Sequence, residues 1–374
     1  MRMACKYLYL YDEICRRIQE GKLKTGMRTP SENELISTYK LSLTTIKTAY
    51  RKLLNDGIVV RRRGSGTYIT ENATAILENK KSEEDTNNIN SCFRTIHVLI
   101  NKYENLNLGP EEEINVFVAN DIMMGINDAL KKYKIPYYQK NTALETPDEI
   151  LDFSDIDPGR DAVIMIHGRN PGNIRELKKL KIPFVVVNYP PNFMCSHGIE
   201  ADDRIGIYEA VEHLASLGLK KILYLGPGEQ NTRFPARLSG FRNAVSDFAL
   251  EAEELASESG TEENAYKIVK KYLNAGKITD AIVSSTDYRA LGAMRAVQEK
   301  GYSVPDDISI TGFDDIRDAA LSSPPLTTIR KPRYEMGKEA VHMLMDIFKN
   351  TSHPTARKVL KPELIIRKST GIKK

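Results

Sequence analysis

The sequence predicts an α/β protein in two parts: a small helical module closed by a β-hairpin, and a large two-lobed domain of alternating strands and helices. Three observations carry that prediction. Charge is divided unevenly, since residues 1–70 hold 14 Lys and Arg against 6 Asp and Glu, while the rest of the chain holds 40 against 44. Residues 71–93, "ENATAILENKKSEEDTNNINSCF", have little apolar periodicity and the composition of a linker, although "ATAILEN" reads as a short helix. Beyond them, apolar runs alternate with amphipathic segments, and 374 residues exceed one ordinary core. The expected organisation is therefore residues 1–70, a linker at 71–93, and a two-lobed unit at 94–374.

In the first module, "YLYLYDEICRRIQEG" places Leu10, Ile14 and Ile18 on one helical stripe that stops at Gly21. "TPSENEL" then offers Ser31 as an N-cap with Glu34 three residues on, a capping box. A third helix opens at Ser42 in "LSLTTIKTAYRKLLNDG", turns Ile46, Ala49, Leu53 and Leu54 inward, and ends at Gly57. Two capped helices separated by "KLS" make a helix-turn-helix. "IVVRR", a glycine turn and "GTYIT" follow as a hairpin, the wing.

After the linker, "TIHVLI", "IPYYQK", "DAVIMI", "IPFVVV", "KKILYLG", "DAIVSS" and "DISITGF" read as strands between amphipathic helices. Buried apolar strands alternating with helices mean parallel, doubly wound sheets, which bind ligands at the carboxyl ends of their strands. The prolines of "NYPPNF" (188–193) and "SPPLTT" (323–328) are expected to mark crossings between the lobes. Met123 and Met124, in the helix after "VFVAND", read as core methionines.

The basic module calls for a polyanion, and a helix-turn-helix offers the start of its second helix to the DNA major groove. Those residues are Ser42, Leu43, Thr44, Thr45 and Lys47. Hydroxyls suit phosphates and base edges, Lys47 suits phosphate or guanine, and Leu43 suits a thymine methyl; capping is the alternative role for Thr44 and Thr45. In "RRRGSGTYI", Arg61, Arg62 and Arg63 would neutralise phosphates while Gly64, Ser65, Gly66 and Thr67 form a wing tip small enough for the minor groove, Gly66 deepest. A nucleotide-binding loop is excluded because the stretch lacks the G-x-x-x-x-G-K-[ST] lysine and leads into a strand.

"GKLKTGMRTPSENELISTYKLSLTTIKTAYRKLLNDGIVVRRRGSGTYI" resembles the winged helix-turn-helix of GntR-type bacterial regulators. The resemblance implies a homodimer on a pseudo-palindromic double-stranded operator, with Ser31 and the residue at Asn33 among the DNA contacts. Asn33, Leu43 and Lys47 stand where that family usually has arginine, which implies an altered operator.

A second resemblance covers residues 198–368 densely. "ADDRIGIYEAVEHLASLGLKKILYLGPG", "ARLSGFRNAV", "STDYRALGAMRAVQEKGYSVPDDISITGFDD" and "SPPLTTIRKP" are similar to the periplasmic-binding-protein-like effector domain of lactose/galactose-repressor regulators. Together the two modules resemble L-arabinose-responsive repressors. The likeness implies polyol-binding roles for Arg237 and Asp314. Strand-end position adds Thr286, Asp287, Asn188, Asn101, Lys102, His167 and Arg169 as effector contacts, and Arg233 and Phe234 lie just upstream of Arg237. Asp287 is alternatively a helix cap.

No nucleophile elbow, H-E-x-x-H or pyridoxal-phosphate lysine motif appears, so an enzyme is not expected. Cys195 and His197 form an isolated pair without metal-ligand spacing, and neither a metal nor a cofactor is expected beyond a small-molecule effector. Acidic and basic residues interrupt any apolar region near the N-terminus, and no apolar run reaches about 18 residues, which predicts a cytoplasmic chain away from the membrane. The expected function is a regulator of sugar-utilisation genes, a repressor released by a monosaccharide such as L-arabinose or L-fucose. A nucleobase effector, or action as an activator, is the alternative.

Overall fold

The computed structural model describes residues 3–62, 64–77, 95–103, 111–144, 150–167, 170–188, 196–228, 235–257, 259–349 and 356–373. They belong to two compact units, Met1–Ser91 and Cys92–Lys374.

The first unit contains α1 (Met3–Gln19), α2 (Glu32–Tyr39), α3 (Leu43–Asn55), β1 (Val59–Arg62) and β2 (Gly66–Ile69). The stripe Leu10, Ile14 and Ile18 of α1 is buried against Leu35, Ile46, Ala49 and Leu53, with Val59 and Ile69 closing the core from the hairpin. Leu54 is only partly buried at its margin. The capping box forms: Ser31 Oγ accepts from the Glu34 amide at 3.3 Å, and Glu34 Oε2 accepts from the Ser31 amide at 2.6 Å. Lys40 ends α2 in the left-handed region (φ 50°), and Ser42 caps α3 two residues later. The strands β1 and β2 pair antiparallel from Val59↔Ile69 to Arg62↔Gly66, and Arg28 adds a bridge to Tyr68 at the outer edge. Residues 73–77 form a helical turn whose Ala73 and Leu77 join this core. Most of the predicted linker, 78–93, lies outside the described residues.

The second unit holds two six-stranded sheets. The first lobe contains β3 (Thr95–Tyr103), α4 (Glu111–Tyr133), β4 (Tyr137–Leu144), β5 (Asp161–Ile166), α5 (Pro171–Lys179), β6 (Phe184–Val187) and β7 (Gly198–Ala201). The second lobe contains α6 (Asp203–Ser216), β8 (Lys221–Gly226), α7 (Pro235–Asp247), β9 (Glu251–Ala256), α8 (Glu262–Asn274), β10 (Ala281–Ser284), α9 (Asp287–Glu299), β11 (Ser309–Phe313), α10 (Arg317–Leu321) and β12 (Thr327–Arg330). The chain then supplies α11 (Arg333–Lys349), β13 (Arg357–Leu360) and β14 (Glu363–Ile365). The sheet orders are β13-β7-β6-β5-β3-β4 and β14-β12-β11-β10-β8-β9. Every neighbouring pair is parallel except β12–β14. Strands β5, β6, β10 and β11 are buried along their whole length, as the largely apolar runs of β5, β6 and β10 lead one to expect; in β11 Ser309 and Thr311 are buried with their apolar neighbours. Helices α6 and α7 cover one face of the second sheet and α8 and α9 the other.

Strand order corrects two expectations. "NYPPNF" is not a crossing: it joins β6 to β7, neighbours in one sheet, and its residues 189–193 lie outside the described set. "SPPLTT" leads from α10 into β12 inside the second lobe. The chain crosses instead between β7 and α6, between β12 and α11, and between β13 and β14. Proline marks rigid turns wherever they occur, so its presence did not distinguish a hinge from a loop. The sequence also gave no sign of β9, "EAEELA", an edge strand so exposed that it lacks apolar alternation. Met123 is buried, whereas Met124 is exposed.

Helices α4 and α11 pack so closely that both need glycine at the contact. A Cβ on Gly125 would lie 1.9 Å from the Tyr334 carbonyl oxygen, and one on Gly337 would lie 2.0 Å from that of Ile122. Gly337→Val is therefore expected to force the helices apart and cost about 1–3 kcal/mol or more, read as a lower Tm of the full chain. An unchanged Tm would refute this packing.

Candidate functional site

Two regions gather chemically active side chains. In the first unit, a groove of about 680 Å³ runs between the start of α2, one face of α3 and the hairpin. Arg28, Lys47, Arg51 and Arg61 line it, and the carboxylate of Glu32 lies 3.7 Å from Arg61. Lys47 and Arg51 share a face because they stand four residues apart on α3. Among the sequence-predicted residues, Asn33, Leu43, Thr44, Lys47, Arg61, Arg62, Gly64 and Ser65 are exposed. The hydroxyl of Ser31 is engaged in its cap. Thr45 is turned inward, with its Oγ1 2.8 Å from Ser42 Oγ, so of the paired threonines Thr44 alone faces solvent. Arg63 lies outside the described residues. Arg62 stacks over the Tyr68 ring at 4.9 Å, and Ser65 Oγ meets the Tyr68 hydroxyl at 2.5 Å, which stiffens the hairpin tip.

Gly66 has a different neighbourhood from the one its place in the tip predicted. Its φ is +125°, and a Cβ there would lie 2.6 Å from Arg28 Nε. Arg28 and Arg51 were missed by sequence reasoning. Arg51 was legible from its spacing to Lys47, whereas Arg28 reaches the groove only through its bridge to the hairpin.

The second region lies in the larger unit, where the strand order reverses at β3/β5 and at β8/β10. Crevices for ligands open at such switch points. At its centre is Arg237, in the first turn of α7 and 2% exposed. Its Nε donates to Asp203 Oδ2 at 2.8 Å, its Nη1 to the Ser285 carbonyl, and its Nη2 to Asp314 Oδ1 at 3.4 Å. The guanidinium lies 3.7 Å from the Phe313 ring centroid. Asp314 also receives Arg333, whose Nη2 donates to the Asp314 carbonyl at 2.6 Å.

Lys331 joins this cluster to the first lobe. Its Nζ lies 3.0 Å from Asp203 Oδ1 and donates to Asn188 Oδ1 at 2.9 Å, while Asn188 Nδ2 lies 3.0 Å from His167 Nδ1. His167, Asn188 and Asp314 all take left-handed backbone at strand ends (φ 59°, 59° and 112°), the kind of local strain that clusters at functional positions. Burial works against the charge of Asp203, but Arg237 and Lys331 outweigh it and hold the carboxyl below its ordinary range. Burial likewise opposes the Arg237 charge, and Asp203 and Asp314 raise its pKa above normal. For Lys331 burial prevails and its pKa falls.

The structure thus brings Arg237, Asp314, Asn188 and His167 into one network. Asn101 and Lys102 lie in β3 beside Thr142 and Ala143 of β4. Arg169, Arg233 and Phe234 lie outside the described residues. Thr286 is the cap of α9, accepting from the Arg289 amide at 3.4 Å. Asp287 is not the cap. It is buried and reaches across to the Thr328 hydroxyl at 2.5 Å and the Ile316 amide at 2.8 Å. Sequence reasoning missed Asp203, Lys331 and Arg333, which stand beside the true crossings in "ADDR" and "IRKPR". What the network can do chemically is clear: a guanidinium, an ammonium, carboxylates, an amide and an imidazole converge, the set that engages vicinal hydroxyls.

Burial first, then Asp314, pushes the Asp287 pKa from 3.8 up to about 7. A carboxyl whose pKa is higher in the folded state favours folding in its protonated form. Its contribution is complete below the unfolded value and is lost as pH rises through about 7. The Tm of the full chain is expected to fall between pH 5 and pH 8, and Asp287→Asn should flatten that slope. A slope identical to the parent's would show that another group carries it.

These two sites define a class, a regulator with a DNA-binding head and a ligand-responsive domain. Residues 6–69 match the family model for bacterial regulatory proteins of the gntR family, and residues 211–370 match the periplasmic binding protein-like domain. The chain is similar to the arabinose metabolism transcriptional repressor of Geobacillus stearothermophilus, 28% identical over 98% of this chain and 97% of that protein. It is 32% identical to the HTH-type transcriptional regulator MalR of Streptomyces coelicolor over 70% of this chain and 79% of that one. A solved LacI-family transcriptional regulator from Enterococcus faecium with bound ribose matches at 27% identity and a TM-score of 0.59, over 75% of this chain and 100% of that one. The chain belongs to this family of transcriptional regulators, which are not enzymes, and is a ligand-responsive repressor of LacI/GntR type. No helix among its described residues is long and apolar enough to cross a membrane.

Proposed function

We propose that the chain represses sugar-utilisation genes as a cytoplasmic homodimer and is released from its operator by a monosaccharide such as L-arabinose or L-fucose. The observation that carries this reading is the network of Arg237, Asp314, Lys331, Asn188 and His167, which presents forked and single donors beside carboxylate acceptors at the switch points of both sheets. The name of the Geobacillus relative and the ribose in the Enterococcus structure support a sugar. Arg237 and Asp314 are assigned to effector hydroxyls, with Asn188, His167 and Thr286 beside them and Asn101 and Lys102 of β3 as further candidate contacts. Asp287 is reassigned to holding α9 against β12. No cofactor is needed for binding of this kind.

On the DNA side, the basic groove is assigned to phosphates and the exposed start of α3 to base edges. Leu43, Thr44 and Lys47 are the foremost contacts, with Arg28, Arg51, Arg61 and Arg62 beside the backbone. Lys47→Ala should weaken operator binding and reduce the salt slope of log K by about one, measured by shift assays at several salt concentrations. An unaltered slope would remove Lys47 from the phosphate contacts. Gly66→Glu is a poor probe, because it strains the backbone and displaces Arg28.

Effector binding is expected to change operator affinity by roughly 5–150-fold, a coupling of about 1–3 kcal/mol. A shift assay of the full chain against a panel of pentoses, deoxyhexoses and nucleobases tests this. No response to any sugar would end the monosaccharide reading, and a response to a nucleobase alone would replace it. Arg237→Ala would leave Asp203 and Asp314 with only Lys331 and Arg333 beside them and cost about 3–5 kcal/mol of stability. Arg237→Lys keeps the charge and removes the fork, so it should weaken the sugar response while leaving operator affinity of the unliganded protein intact. A parent-like sugar response would show that the fork does not read the effector.

A further inference from the structure

Directly beneath Arg237 lie polar groups that the network does not use. The hydroxyls of Tyr224 and Ser285 are buried facing each other, and among the described residues neither has another side-chain or backbone partner within hydrogen-bond distance. Strand register places them together. Val283 of β10 pairs with Tyr224 of β8, and the Ser285 amide donates to the Leu225 carbonyl at 2.9 Å, which sets Ser285 beside Gly226 on the face that Tyr224 occupies. The Tyr224 ring lies along its strand over Gly226, where a Cβ would come within 2.7 Å of the phenol oxygen. The hydroxyl is thereby carried to the carboxyl end of β8, against Ser285, at the second lobe's switch point. Glycine at 226 leaves the space that this orientation needs.

Phenylalanine would fill the same volume without burying a hydroxyl that no described residue beyond Ser285 meets. Burial pushes the phenol up to about 12, and Arg237, Arg289 and Ser285 are the neighbours that oppose it. Arg237 covers the pair by donating to the Ser285 carbonyl.

We propose that Tyr224 and Ser285 are specificity-determining contacts of the effector site, together holding one hydroxyl of the bound ligand beneath Arg237. Each hydroxyl both donates and accepts, so the pair recognises an oxygen that does the same and discriminates against the deoxy analogue. The proposal rests on the sugar reading of this site.

The test uses the full chain and its Tyr224→Phe and Ser285→Ala variants, with binding to aldopentoses, their monodeoxy analogues and nucleobases measured by calorimetry. Both variants should keep or raise the Tm of the unliganded protein. Each should bind the preferred sugar roughly 5- to 10-fold more weakly, and bind one monodeoxy analogue as the parent does. A fall in unliganded Tm for Tyr224→Phe would mean that its hydroxyl is paired in the fold, and would overturn the proposal. Parent-like affinity for every sugar would also overturn it. A parent chain that binds a nucleobase but no sugar ends the sugar reading, and with it the assignment of this pair to a sugar hydroxyl.

Discussion

The buried guanidinium of Arg237 is the interaction on which the larger unit depends. It joins the start of α6 through Asp203, the end of β10 through the Ser285 carbonyl, and the end of β11 through Asp314 and the Phe313 ring. One helix start and two strand ends are therefore held in one arrangement by a planar fork whose donors point in fixed directions. Such a charge is tolerable in the interior only because two carboxylates accompany it. The same pairing leaves those carboxylates poised, with Lys331 carrying the network onward to Asn188 and His167 in the first lobe.

On the proposed reading, that arrangement is the means by which a ligand between the lobes would be felt. Lys331 and Arg333 stand at the crossing between β12 and α11, and Asp203 stands at the crossing between β7 and α6. A ligand that competed for Lys331 or Arg237 would change the contacts of two of the three crossings. The close glycine packing of α4 against α11 leaves little room for compliance beyond them. Rebalancing falls on the crossings themselves, where the polar pairs can be exchanged for ligand contacts.

Different parts of the molecule were legible to different degrees. The capping box at Ser31 and Glu34, the cap at Ser42 and the stripe of Leu10, Ile14 and Ile18 are local patterns, and the fold realises them as written. Central strands such as "DAVIMI" announce themselves because burial on both faces demands continuous apolar residues. The exposed edge strand β9 and the hinge crossings carry no such signature. The candidate site divides along the same line. Arg237 and Asp314 came from motif resemblance and His167 and Asn188 from strand-end position, whereas Asp203, Lys331, Arg333 and Arg28 had to be brought near by folding.

The sequence by itself determined the alternation of strands and helices, the basic winged head and the family, because each rests on periodicity, capping chemistry or contiguous motifs. Only the tertiary structure decided where the lobes are joined, which threonine of the pair faces outward, and that Asp287 ties α9 to β12 instead of capping it. It also set the Tyr224 and Ser285 hydroxyls together under Arg237. For the crossings, Asp287 and the hydroxyl pair the physical reason is the same: polar contacts are short-range, and their partners here lie tens of residues apart until register and strand order bring them together, whereas Thr45 is turned inward by the local cap at Ser42.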